Sequence, residues 1–215
     1  THSSTWAGHE ISPPEPSMSI RANSAVEYPK PLDDHQRFVV RRMADGVRVA
    51  INNLVPARIG WGAGNVPQHV FNRRWKLKSS VTNPFGVREE VQMNPGIGNP
   101  NIQEPAGPTD PQVSFLSVQS MKGQPIAVLA NYSLHYVGGV PQGHISADYF
   151  AVFADRLQEL LKADRQDIPF VGILSNGTEG DTNNIDFRGP VVSYPPYAKM
   201  KVVANDVAQE VFRVY

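Results

Sequence analysis

The chain has 215 residues, with 20 Lys and Arg balanced by 20 Asp and Glu, 6 His and no Cys, so its formal net charge is zero. That balance argues against nucleic-acid binding and against attachment to a membrane through a polybasic patch, since both need a clustered basic surplus. Without Cys there is no disulfide framework, thiolate metal site or cysteine nucleophile, and no apolar run reaches the roughly 18 residues of a membrane span.

From the amino end, residues 1–31 are rich in Ser, Pro and His without a sustained period, and read as loop. Asp33 and Gln36 are spaced as a capping box, and Val39, Met43, Val47, Ile51 and Leu54 then recur along one face, which predicts a core-packing helix. After Pro56, the run Ala57 to Gly62 reads as a short strand entering a glycine-rich turn. Asn-Pro, Pro-Gly and Gly-Pro pairs punctuate residues 81–111, which predicts a single long loop, the kind usually kept for function. Residues 113–118 and 126–136 form an antiparallel hairpin about Met121 to Gln124, and Ile126 to Ala130 is apolar on both faces, as a strand covered on both sides would be.

Ser146 is placed to cap a helix running to Lys162, with Asp148 in its first turn and Tyr149, Phe153, Leu157 and Leu160 on one stripe. Residues 169–174 read as a buried strand feeding the loop 175–184, and a final helix after Pro195 and Pro196 carries Met200, Val203, Val207 and Val211. Alternating strands and helices predict an α/β (mixed α+β) fold, loop-rich, with helices packed on a central mixed sheet. Thr1 follows no leader and the helical period runs up to Tyr215, so the expectation is a single domain over 1–215, truncated at both ends.

Five places could carry chemistry. His135 ends a buried strand just before Gly138 and Gly139, where ligands gather in open α/β sheets; it reads either as a metal ligand or as a half-buried histidine bonded to a neighbouring carbonyl. Asp181 lies in the loop after the next strand, as a site carboxylate or as the head of an Asx-turn. A helix joins the two strands, the usual link between parallel neighbours, so both loops would leave one edge and meet. Arg73 in Asn72-Arg73-Arg74 could clamp a carbonyl or an anion, or lie on the surface. His2 sits in a polar terminal loop, and Ser146 and Asp148 serve either a helix start or a site beside it.

Taken in order, Thr1-His2-Ser3, Asn72-Arg73, Ala130 to His135, Ile145-Ser146-Ala147-Asp148 and Gly180-Asp181-Thr182-Asn183-Asn184 resemble the N-terminal catalytic region of the neutral/alkaline (non-lysosomal) ceramidase family. The resemblance implies a secreted or periplasmic zinc-dependent amidase that cleaves the N-acyl bond of ceramide-like lipids. His135 matches the family's strand-end zinc ligand. His2 matches the second histidine of the opening motif, a general acid or base beside the metal; in the alternative register it is itself a ligand. A Glu and a Tyr completing the zinc site would lie beyond Tyr215, in the remaining C-terminal part of the protein.

The sequence departs from the family at Asn183, where characterised members carry serine. A carboxamide cannot form an acyl-enzyme, so the attacking group would be water activated by the metal, with His2, Arg73, Asp181 and Asn183 as the catalytic residues, Arg73 and Asn183 stabilising the carbonyl oxygen, and Ser146 and Asp148 supporting them. Two rival readings keep the fold: a metal hydrolase of a non-lipid amide or ester, and a non-catalytic binding module.

Overall fold

The computed structural model describes residues 31–215. Contacts group the chain into two compact units, Thr1–Val55 and Pro56–Tyr215.

In the first unit, helix α1 (Asp34–Asn52) starts at the expected capping box: the Gln36 amide donates to Asp33 Oδ1 at 2.7 Å and the Asp33 amide to Gln36 Oε1 at 3.0 Å. Among the described residues of its unit nothing covers this helix, contrary to the expectation that it packs into a core. None of its residues is buried, and Met43, Val47 and Ile51 are each more than half exposed. A 3.6-residue period encodes an apolar stripe but not what covers it.

The second unit contains β1 (Ala57–Asn65), β2 (Phe71–Asn72), β3 (Arg74–Thr82), β4 (Arg88–Met93), β5 (Ile102–Pro105), β6 (Gln112–Ser120), β7 (Pro125–Tyr132), α2 (Asp148–Leu160), β8 (Val171–Asn176), β9 (Thr182–Asn183) and α3 (Ala198–Val214). The main sheet has the order β1-β6-β7-β8, with β6 antiparallel to β1 and β7, and β8 parallel to β7. The mixed α/β class, the β6–β7 hairpin and the parallel crossover through α2 are therefore as the sequence predicts.

Helices α2 and α3 pack together on one face of this sheet. Val128, Ala130 and Tyr132 of β7 and Val113 and Phe115 of β6 meet Tyr149, Phe153 and Leu157 of α2 and Met200, Val203, Val207 and Val211 of α3. The helix comes so close to β8 that a Cβ built on Gly172 would lie 3.0 Å from Ala154 Cα. The opposite face is different. Trp61, Leu116, Leu129 and Ile173 stand in one cross-strand row and are all exposed, Trp61 by 81%. Strand β7 is thus central but covered on one face among the described residues, which corrects the two-sided burial read from Ile126 to Ala130. A run that is apolar at every position fixes no inside face, and here the helices select the even-numbered one.

Two boundaries also move. Ser146 does not cap α2: the helix starts at Asp148, its N-cap Ala147 makes no side-chain cap bond, and Ser146 Oγ instead accepts from the Asp148 amide at 3.0 Å. It ends at Leu160 rather than Lys162, whose φ of 55° is left-handed. The predicted loop 81–111 is broken by β4 and β5, which flank β3 in a three-stranded antiparallel sheet over a small core of Trp75, Leu77, Ile102 and Phe187. The turn signals fall where the chain turns, at Gly86, Asn94, Gly96 and Gly98, all with positive φ. The strands between them are short and polar enough to leave no apolar period.

Candidate active site

The parallel β7–β8 pair delivers two loops to one edge, and carboxamides and hydroxyls lace them together. Asn131 Nδ2 donates to the Asn176 carbonyl at 2.8 Å and to Ser175 Oγ at 2.9 Å, Asn176 Nδ2 donates to the Leu134 carbonyl at 3.2 Å, and the Gly177 amide reaches the Tyr132 carbonyl at 3.0 Å. The contact at Gly177 admits no side chain: a Cβ there would stand 2.4 Å from Ser133 Oγ.

This lacing brings His135 against Glu179, with Nδ1 of the imidazole bonded to Oε2 of the carboxylate. Both side chains are about four-fifths buried, at 20% and 22% exposure. Tyr149, deep in the core, donates to the Leu134 carbonyl at 2.9 Å and so pins the residue preceding His135; burial pushes its hydroxyl pKa up. On the other side of His135, Asp148 accepts from the amides of Val137 (3.1 Å) and Gly138 (2.8 Å), and from its neighbour Tyr149 (2.7 Å). Asp148 is 4% exposed and has a φ of 54°, a conformation that aspartate tolerates better than most residues. Ser146 acts one step further out, through the Asp148 amide.

Strand β2 pairs with β9, Phe71 opposite Asn183 and Asn72 opposite Thr182, which draws the Asn-Arg segment onto the Gly-Asp loop. The Arg73 amide donates to the Asp181 carbonyl at 2.7 Å, its Nη2 to the Gly180 carbonyl, and Asn72 Nδ2 to Asp181 Oδ2 at 3.2 Å. Among the described residues Arg73 Nε is a buried donor with no acceptor. Asn183 is buried; its Nδ2 donates to Asn94 Oδ1 at 3.1 Å and its Oδ1 accepts from the Ile185 amide at 2.9 Å. Asn184 Nδ2 donates to the Val137 carbonyl at 3.1 Å, and its own carbonyl accepts from Lys199 Nζ at 2.6 Å. Partial burial lowers the pKa of Lys199.

Contacts therefore run from His135 to Glu179, beside Gly180-Asp181, and from that loop to Arg73, while Asp148 holds the loop after His135, Ser146 the Asp148 amide, and Asn183 pairs with Phe71 and Asn94. His2 lies outside the described residues. The reading of the sequence passed over Glu179, Asn72 and Asn184. Glu179 carries a signal in retrospect, as the acidic residue directly before Gly180-Asp181 in a loop expected to meet His135.

A zinc ion fits these residues only in part. A histidine whose Nδ1 is bonded to a carboxylate is the usual form of a zinc-ligating imidazole. Among the described residues, however, no three His, Asp, Glu or Cys side chains converge as a metal site. They offer one imidazole with a carboxylate partner, His135 with Glu179.

No protein-family model matches this chain, and no curated protein sequence does. Similar solved structures exist: a neutral ceramidase from Pseudomonas aeruginosa, 16% identical with a TM-score of 0.50, and a ceramidase complexed with C2, 14% identical with a TM-score of 0.54. Each match covers 83% of this chain but 25% of the neighbour, so the chain spans about a quarter of the length of the proteins it matches. At that identity the likeness concerns the fold: this chain has a distant ceramidase-like fold.

Proposed function

We propose that the protein is a zinc-dependent hydrolase of the ceramidase kind, acting in a secreted or periplasmic setting on the N-acyl amide of a ceramide-like lipid. The observation that supports this most is the convergence of His135, three residues beyond the end of β7 and not on the strand as the sequence suggested, with the Gly180-Asp181 loop after β8, to which Arg73 is bonded by backbone and guanidinium alike.

In this reading His135 is a metal ligand, and zinc, when bound, supplies the Lewis acidity that lowers the pKa of water towards about 7. Arg73 offers the buried Nε–H that lacks an acceptor among the described residues, a donor suited to an amide oxygen gaining negative charge. Asp181 holds Asn72 and, through its carbonyl, the Arg73 backbone, and so fixes the guanidinium's root. Asn183 keeps one amide hydrogen beyond its bond to Asn94, and with it donates to the carbonyl oxygen. His2 serves as general acid or base, or as a ligand in the alternative register. Asp148 and Ser146 hold the loop that follows His135.

The test is zinc stoichiometry of the full-length protein and of His135→Ala, together with hydrolysis of a fluorogenic short-chain ceramide. Stoichiometric zinc that is lost with His135, accompanied by turnover, is the expected result. Zinc without turnover moves the substrate to a non-lipid amide or ester. A full-length protein that binds no zinc refutes the hydrolase reading and leaves a binding module.

A further inference from the structure

We infer that Glu179 is a positioning residue for His135, and this inference deepens and rests on the proposed zinc hydrolase. The two side chains come from loops 44 residues apart and meet because β7 and β8 run parallel in register, Tyr132 opposite Asn176. Three constraints aim the carboxylate at the ring. The Gly177 amide is tied to the Tyr132 carbonyl at 3.0 Å, the Thr178 amide to Ser133 Oγ at 3.2 Å, and the Glu179 amide to the Gly177 carbonyl at 3.0 Å. The chain from Asn176 to Glu179 is thus folded back on the segment leading to His135, and the Glu179 side chain has little choice of direction.

The chemical consequence follows from the acceptor. A carboxylate bonded to Nδ1 demands a proton on that nitrogen, so in the neutral ring the lone pair resides on Nε2. Nε2 is therefore the atom through which His135 binds metal, and the carboxylate behind Nδ1 fixes the ring's tautomer and orientation. Glu179 is not one of the ligands in this scheme, since its Oε2 is engaged with the imidazole. Its place directly before Gly180-Asp181 couples the ring to the loop that Arg73 grips, so ligand and carbonyl-binding donor are set by one piece of backbone.

The experiment uses the full-length protein carrying 15N-labelled histidine, as wild type, Glu179→Gln and Glu179→Ala, with His135→Gln to assign the resonances. Long-range 15N–1H correlation on the metal-free protein reads the tautomer, and competition with a chromophoric chelator reads zinc affinity. In the wild type the Nδ1–H tautomer should dominate. Glu179→Gln, whose amide oxygen still accepts, should keep it and lose little affinity. Glu179→Ala should lose the preference and bind zinc 10- to 100-fold more weakly. Should the alanine variant not fold, Glu179→Leu fills the space without an acceptor. An unchanged tautomer in Glu179→Ala overturns the assignment, and so does a changed tautomer with wild-type zinc affinity. If the wild type binds no zinc, the hydrolase reading falls by itself and the tautomer alone decides the role of Glu179.

Discussion

Replacing Asp148 tests whether the loop after His135 is held as described. Its carboxylate accepts three amides, two of them, Val137 at 3.1 Å and Gly138 at 2.8 Å, from the loop that carries the histidine. A hydrogen bond to a charged group contributes about 1.5–3 kcal/mol, and leaving a buried donor unsatisfied costs about 1–3 kcal/mol. Counting only the two loop amides, and allowing for water reaching one of them, Asp148→Ala should lose about 3–5 kcal/mol. The left-handed φ of 54° adds to the loss, because alanine tolerates it less well than aspartate. For a domain of this size about 2–4 °C of Tm accompanies each kcal/mol, so melting should fall by about 6–20 °C. Asp148→Asn keeps one acceptor and the tolerance for positive φ, but turns an NH2 towards a backbone donor, and should lose about half as much. Urea denaturation of the three proteins, with equal m-values, measures these differences. An alanine variant within about 1 kcal/mol of wild type would show that the carboxylate does not hold the loop that follows His135.

Gly172→Ala should destabilise by about 1–3 kcal/mol in the same assay, since the new methyl would meet α2 backbone that cannot rotate aside. Tyr149→Phe removes the buried donor to the Leu134 carbonyl and should cost about 1–2 kcal/mol, with the His135 ring resonances shifting in the same spectra. Glu210 is held below its ordinary pKa of 4.5, first by its bond to Arg213 and then by the Asn65 amide. The stability it contributes is therefore fully present above pH 4.5 and lost as pH falls through the lower folded-state value. Because Arg213 is largely exposed the amount is small, up to about 1 kcal/mol, and a Glu210→Gln variant should show a correspondingly shallower loss of stability in acid.

The meeting of His135 with the Gly-Asp loop is legible from residues alone, because a helix between two apolar strands implies a parallel pair and a shared edge. The partner of His135 is not. Glu179 touches the ring only through the register Tyr132 to Asn176 and the backfold at Gly177, neither of which has a local sequence signature. Strand β3 was readable in principle, since Trp75 and Leu77 alternate with Lys76 and Lys78, but the proline and asparagine pairs after it dominate the pattern. The exposed side of β7 could not be read from Ile126 to Ala130, where Leu129 and Val128 look alike. Only the packing of α2 and α3 distinguishes them.

The site is assembled from segments that lie far apart along the chain, with His135 and Glu179 44 residues apart and Arg73 and Gly180 107 apart. Closing the longer of these loops costs only about 0.8 kcal/mol more than the shorter, because loop entropy grows with the logarithm of length. The first contact depends on the register of β8 on β7, and the second on the pairing of β2 with β9. The site is thus a product of long-range pairing and not of any one segment. A probe on the His135 ring should report the same cooperative transition as the core.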